Sequence, residues 1–234
     1  MKNKNGSHVG LVLSFVIFVT FLFFIFTVLN PAVKQEKSKQ LILDIFKENL
    51  MSEINSKLSV TSLKVKSDVT FVKNCFDINN LEGMILENVK VFDETGSLVG
   101  FSNTENEKIR INSVNKFFKI YYSNEFIKKS DLEPCDQLDI GEYTIGATRT
   151  TEYVFKGKLD EILSKYDSDY EGLKQDLGIS LEYDFGIGFV DSEGNVNEKG
   201  FAPVSGNVYV EDIPVQYYTI EGNIKSGIIK IRAY

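Results

Sequence analysis

From Val9 to Leu29 the chain carries no ionisable side chain, and Phe, Val, Leu and Ile occupy every face that a helix would present. About 21 helical residues span about 31 Å, the thickness of a bilayer's hydrocarbon layer. After Pro31 the pattern changes. Ile42, Phe46, Leu50, Ile54 and Leu58 recur every fourth residue, with Leu41 and Ile45 beside them and Lys, Glu, Asp and Asn opposite. That spacing predicts an amphipathic helix over 30–59, bent at Pro31, which lacks a backbone donor and crowds the preceding turn. Unbroken from Val9 to Leu58, such a helix would be about 75 Å long.

From Val60 onward alternation takes over, in Val60–Lys66, Lys108–Ile111 and Phe118–Tyr121, which predicts strands. Three segments share one turn chemistry: Phe92–Leu98, Val190–Val196 and Ile220–Ile224 each place an acidic residue, then Gly, then a small polar residue between apolar flanks. Each reads as a β-hairpin tip that needs positive φ. Leu159, Ile162, Leu163, Tyr166, Tyr170, Leu173 and Leu177 mark two short helices, with N-cap chemistry at Asp167–Asp169 and a stop at Gly178. The stretch from Asn207 to Tyr234 reads as two long strands, with Pro214 confining the first to an edge or a bulge. The fold class expected is α+β: a long N-terminal helix, half transmembrane and half amphipathic, packed on a mostly antiparallel sheet with a second short helical region. The organisation this implies is a basic leader over 1–8, a membrane helix over 9–29, an amphipathic continuation over 30–59 and one domain over 60–234.

Composition narrows the functions. With 43% hydrophobic residues and 18 Phe in 234 residues, the chain can bury a core even after the anchor is discounted. The formal charge is −7, and Lys2 and Lys4 precede the apolar run, so the chain beyond that run is more acidic still. An acidic domain is poorly suited to nucleic acid or to an anionic lipid surface. The exit from the apolar run, Thr27-Val28-Leu29-Asn30-Pro31, has no small-residue cleavage site, so the run is expected to stay as a permanent anchor. Lysines flank it on both sides, and charge counting alone leaves its orientation open.

Candidate chemistry is sparse. His8 is the only histidine, which leaves the domain no Ser-His-Asp or Cys-His machinery and no His-based zinc site. Ser113-Val114-Asn115-Lys116, Ser205-Gly206-Asn207 and Lys225-Ser226-Gly227 follow the order of the penicillin-binding and β-lactamase motifs. However, Ser113 lies between strand-like runs, not at the start of a helix. Gly186-Ile187-Gly188 sits in a strand pattern with no following helix, so strand packing is the expected role. The acidic loops at Asp93-Glu94 and Asp191–Glu198 lack the regular oxygen spacing of a calcium loop, and Asp167 and Asp169 suit capping better than catalysis. Phe117, Phe118, Tyr121, Tyr122, Tyr217 and Tyr218 are expected in the core, not on a binding surface. Cys75 and Cys135 stand in no metal-ligand spacing and leave two readings open: a disulfide or two buried thiols. No metal, cofactor or catalytic residue is assigned.

The opening Lys2-Asn3-Lys4-Asn5-Gly6-Ser7-His8-Val9, running straight into the apolar helix, resembles the class III signal peptide of archaeal type IV pilin-like proteins. The resemblance covers about the first thirty residues closely, and the amphipathic helix in general design. It implies peptidase cleavage after Gly6 to leave Ser7 first, an extracytoplasmic domain, and other pilin-like subunits as partners. The family's acidic residue a few positions into the mature chain is missing, because Gly10 and Leu11 stand there and the first acidic residue is Glu36. The expectation is therefore a minor pilin-like or pseudopilin-like structural subunit of a cell-envelope assembly, anchored in lipid. The rival readings are a membrane-tethered binding module and, third, an enzyme using carboxylates or a Ser-Lys pair.

Overall fold

The computed structural model describes residues 6–79, 88–103, 108–127, 129, 133–180, 182–205 and 208–234, with side chains described except at 6–8, 28–40 and 103. Lys2 and Lys4 of the leader, the side chain of His8, and Gly206 and Asn207 lie outside that description.

The chain opens on a single helix, α1, Gly6–Ile54, helical throughout its 49 residues and through Pro31. Val9–Thr27 is long and apolar enough to cross a membrane and none of it is buried within the protein. Such a helix suits a membrane span or a signal sequence. Its two threonines bond within the helix: Thr20 Oγ1 donates to the Val16 carbonyl at 2.9 Å and Thr27 Oγ1 to the Phe24 carbonyl at 2.9 Å. Neither hydroxyl then needs water.

The last four turns of α1 enter the folded domain. Leu43, Phe46, Leu50 and Ile54 are all buried, one stripe at spacings of three and four residues. The helix ends at Ile54, one repeat earlier than the spacing through Leu58 predicts. Leu58 is buried, but on a strand, β1, Asn55–Val65. Asn55, Ser56, Ser59, Val60 and Thr61 are poor helix formers, and β1 is paired on both sides, so ladder bonds outweigh a further helical turn.

The remaining described elements in chain order are β2 (Phe76–Ile78), β3 (Val89–Asp93), β4 (Leu98–Asn103), β5 (Lys108–Ile111), β6 (Phe117–Tyr122), β7 (Asp136–Leu138), β8 (Tyr143–Ile145), β9 (Arg149–Phe155), α2 (Lys156–Ser168), α3 (Tyr170–Asp176), β10 (Phe185–Val190), β11 (Val196–Lys199), β12 (Tyr209–Tyr218) and β13 (Ile224–Ala233). All thirteen described strands belong to one sheet, ordered β11-β10-β13-β12-β9-β1-β6-β3-β4-β5-β2-β7, with β8 paired to the end of β1. Its described pairings are antiparallel except β12 with β9 and β2 with β7.

The sheet has two halves with separate cores. In the half made of β10 to β13, one face is covered by the lower part of α1 together with α2 and α3, and Phe46, Leu50, Leu159, Leu173, Phe185, Tyr217 and Ile231 meet there. The other half covers itself. Phe76 on β2 meets Phe118 on β6, centroids 5.8 Å apart, although β3, β4 and β5 separate those strands in the sheet. That contact requires the sheet to curl, enclosing Leu63, Val65, Val91, Ile109 and Ile120. The halves join through β12 and β9, paired only at Tyr217 with Val154 and Tyr218 with Phe155.

The three predicted tips are hairpins of one design. Gly96, Gly194 and Gly222 have φ of 82°, 84° and 89°. In each, the residue three before the glycine accepts the glycine's N–H, and that same residue donates to the residue after it, as in Gly222 N to Thr219 O at 2.9 Å and Thr219 N to Asn223 O at 3.0 Å. This is a three-residue loop with the glycine as bulge. The α2–α3 junction also follows the sequence: Asp169 caps α3 by accepting from Gly172 N at 3.0 Å, and Gly178 follows with φ 66°.

Phe46 has no exposed surface and meets Phe185 edge to face at 5.3 Å. Phe46→Ala is expected to cost about 3 to 5 kcal/mol, measured by denaturant unfolding of the full chain in detergent. A loss below about 1 kcal/mol would mean that α1 stands free of the sheet.

Candidate functional site

A groove opens where the two halves meet. Its cavity is about 360 Å³, lined by Phe92, Asp93, Glu94, Thr95 and Gly96 of the β3–β4 hairpin, Lys119 and Tyr121 of β6, Tyr218 of β12, and Gly222, Asn223 and Ile224 of the β12–β13 hairpin. One wall therefore comes from each half. The floor is aromatic: Phe92 and Tyr121 cross edge to face at 5.1 Å, Tyr121 and Tyr218 lie 6.4 Å apart, and Tyr153 stands edge to face on Tyr218 at 5.0 Å. Burial raises the pKa of the Tyr121 and Tyr218 phenols, and the neighbouring phenols add to it.

Tip and strand are fitted to each other. A Cβ on Gly222 would lie 3.2 Å from the Phe92 ring and 3.3 Å from Lys90 Cγ, so this glycine is needed both for its φ and for close approach. Beneath it Lys90 is buried, and its ammonium donates to the Ile127 carbonyl at 2.9 Å. Burial first, then the nearby Lys129 charge, lowers its pKa, and Glu221 opposes them.

Asp93 is committed to its own turn. Its Oδ1 accepts from Thr95 N at 2.9 Å, Thr95 Oγ1 at 2.6 Å and Ser97 N at 3.0 Å. Those bonds, the Thr95 hydroxyl foremost, hold its carboxyl below the usual range. Asp191 does likewise, accepting from Glu193 N at 2.8 Å and Asn195 N at 2.9 Å, and its pKa is lowered by the Asn195 side chain foremost. Both acidic loops thus commit carboxylate oxygens to backbone donors, and among the described residues no cluster of three or more metal-ligating side chains forms.

The other candidates disperse. Ser113 lies in the β5–β6 connection, where its hydroxyl accepts from Asn115 N at 3.1 Å. Lys116 donates to the Val69 carbonyl and sits over the Phe71 ring at 4.5 Å, while Lys225 pairs with Glu193 at 2.9 Å. Gly186 and Gly188 lie on β10, where a Cβ on either would run into the neighbouring chain: the Gly200 carbonyl 2.8 Å from the first, Glu198 Cγ 2.7 Å from the second. Asp167 pairs with Lys199 at 2.5 Å. Of the aromatics expected in the core, Phe118, Tyr217 and Tyr218 are buried there, Tyr121 and Tyr122 pack against it partly buried, and Phe117 is exposed; Tyr121 and Tyr218 also line the groove.

Cys75 and Cys135 form a disulfide with Cα atoms 5.2 Å apart, closing 60 residues. It sits one step before the parallel pairs of β2 with β7. Asp136 Oδ2 braces the same corner by accepting from Val72 N at 2.7 Å and Lys73 N at 2.8 Å. A closed loop of that length contributes about 4 kcal/mol on the chain-entropy account.

Sequence reasoning missed two structural features. One is the groove, and the other is a buried ion pair in which Arg110 Nε donates to Asp77 Oδ1 at 2.8 Å and Nη2 to Oδ2 at 2.9 Å. The signal for the pair was a lone Asp and a lone Arg within two short apolar strands. Its register, Asp77 opposite Arg110, depends on pairing that one strand alone does not reveal. Set against models of protein families, curated proteins and solved structures, the chain matches none.

A Cβ on Gly194 would meet nothing within 4 Å, unlike one on Gly222. Gly194→Ala should therefore cost only its left-handed backbone, about 1 to 2 kcal/mol, and Gly222→Ala that amount plus the contact strain. Equal losses in parallel thermal melts would mean that the Gly222 tip does not touch β3.

Proposed function

We propose that this protein is a membrane-anchored structural subunit of pilin-like design, with its folded domain outside the cytoplasm. The observation that carries the reading is α1: one helix offers an apolar surface on every face over Val9–Thr27 and then buries a single stripe in the domain core. A chain that only needed tethering could use a flexible linker. A helix shared between lipid and core fixes the domain to the anchor, as an assembly in which anchor helices pack side by side requires. The disulfide supports the outward side, since such bonds persist in oxidising compartments.

The leader reading places the first residue of the mature chain at Ser7. Gly10 and Leu11 then stand where a pilin's pairing carboxylate belongs. An unpaired charge in lipid costs several kcal/mol, so this subunit is suited to a partner that supplies the carboxylate rather than to copies of itself.

Two outcomes test the reading. Arg placed at Ile17 should weaken membrane insertion by about 3 kcal/mol, read as a shift of the chain into the soluble fraction; unchanged extraction would contradict anchoring. Expressed alone, the chain should begin at Ser7 by N-terminal sequencing and form no filaments under the electron microscope. Long homopolymers from this chain alone would overturn the minor-subunit assignment.

A further inference from the structure

The groove between the hairpins presents charges that the protein leaves unanswered. The Lys119 side chain is exposed on its wall and makes no ion pair or hydrogen bond among the described residues, and the same holds for the Glu94 side chain at the tip of the β3–β4 hairpin. Half-buried lysines of this domain find carboxylates, as Lys156 does with Asp160, Lys165 with Asp176 and Lys225 with Glu193, whereas Lys119 shares its unpaired state with the exposed Lys57, Lys64 and Lys66 and differs from them in lining the groove. The Tyr121 and Tyr218 hydroxyls also lack a partner among the described residues, although Tyr218 is only 3% exposed. The groove therefore offers one cation, the free carboxylate of Glu94 beside the turn-bound carboxylate of Asp93, two phenol groups and the apolar surface of Phe92 and Ile224.

We propose that this groove binds a small zwitterion of free amino-acid chemistry, its carboxylate on Lys119 and its ammonium beside Glu94 and the ring faces of Phe92 and Tyr121. Size and charge agree. The cavity of about 360 Å³ lies at the low end of the volumes that hold small ligands, roughly 300 to 1,000 Å³. A simple anion would meet the carboxylates of Asp93 and Glu94, and a simple cation would meet Lys119. A neutral sugar would use neither charge. A zwitterion answers both, and an ammonium over an aromatic face gains a cation–π contribution. The ligand's side chain would lie toward Tyr218 and Ile224.

The position adds a consequence. Beside the two-residue pairing of β12 with β9, the halves are held at this seam by side-chain contacts such as Tyr121 with Tyr218 and the cluster of Leu58, Phe126, Phe155 and Tyr218. A ligand touching both hairpins bridges the halves, and binding raises the melting temperature by mass action. None of this depends on whether α1 assembles with other subunits, because the groove lies wholly within the folded domain.

The test uses the full chain in detergent micelles, with individual free L-amino acids screened by thermal shift and the best of them titrated by calorimetry. Saturable binding with a Kd of about 1 mM or tighter is expected. The corresponding amino-acid amide, which lacks the carboxylate, and the N-acetyl derivative, which lacks the ammonium, should each bind about tenfold more weakly. Lys119→Met should weaken the amino acid about tenfold while leaving the amide's affinity unchanged, and Glu94→Gln should do the same relative to the N-acetyl derivative. Both side chains are exposed, so the variants should melt like the parent without ligand. No binding by any amino acid at about 10 mM, or binding indifferent to Lys119→Met and Glu94→Gln, would overturn the proposal.

Discussion

Everything in this molecule hangs on the four buried residues with which α1 enters the domain, Leu43, Phe46, Leu50 and Ile54. Each contributes about 1.5 to 3 kcal/mol by leaving water. No other described element combines membrane-like surface with a place in the core. The same stripe forms one side of the layer under which α2, α3 and β10 to β13 assemble, with Asn49 bonded to the Leu177 carbonyl at 3.1 Å and Lys47 paired with Glu211. Because the helix is shared, an orientation imposed on its apolar N-terminal part is an orientation imposed on that half of the sheet.

The second half is stabilised differently. No described helix lies against its core, so it curls until strands distant in the sheet touch, and it is closed by the Cys75–Cys135 bridge and the run from β7 into β8, which returns to pair with β1. The two solutions meet at β1, which follows directly on α1 and pairs with β9 on one side and β6 on the other. The seam beside it has little backbone pairing and much aromatic surface. Such a place leaves room for a cavity with walls from both sides.

Local chemistry was legible in the sequence to the extent that it was local. The hairpin tips at Gly96, Gly194 and Gly222, the cap at Asp169 and the stop at Gly178 each need only a few neighbouring residues to specify them. The end of α1 was misplaced because Leu58 continues the four-residue spacing by coincidence. Only its pairing with Thr151 of β9 reveals a strand. Pro214 behaves as an edge residue should: β12 pairs with β13 along its length, yet with β9 only at its last two residues. The groove was not legible, since Phe92, Tyr121 and Tyr218 are brought together by strand order rather than by spacing. The cysteine partnership was left open for the same reason, the two residues lying 60 positions apart.

The central claim is that α1 is one rigid element from its apolar N-terminal part to the core, through Pro31. The most direct measurement is the distance between spin labels at Phe24 and Glu48, both exposed, with the full chain in lipid nanodiscs. A continuous helix predicts one narrow distribution centred at about 36 Å. A broad distribution, or one centred at clearly shorter distances, would place a hinge between the apolar part of α1 and the domain and contradict the account.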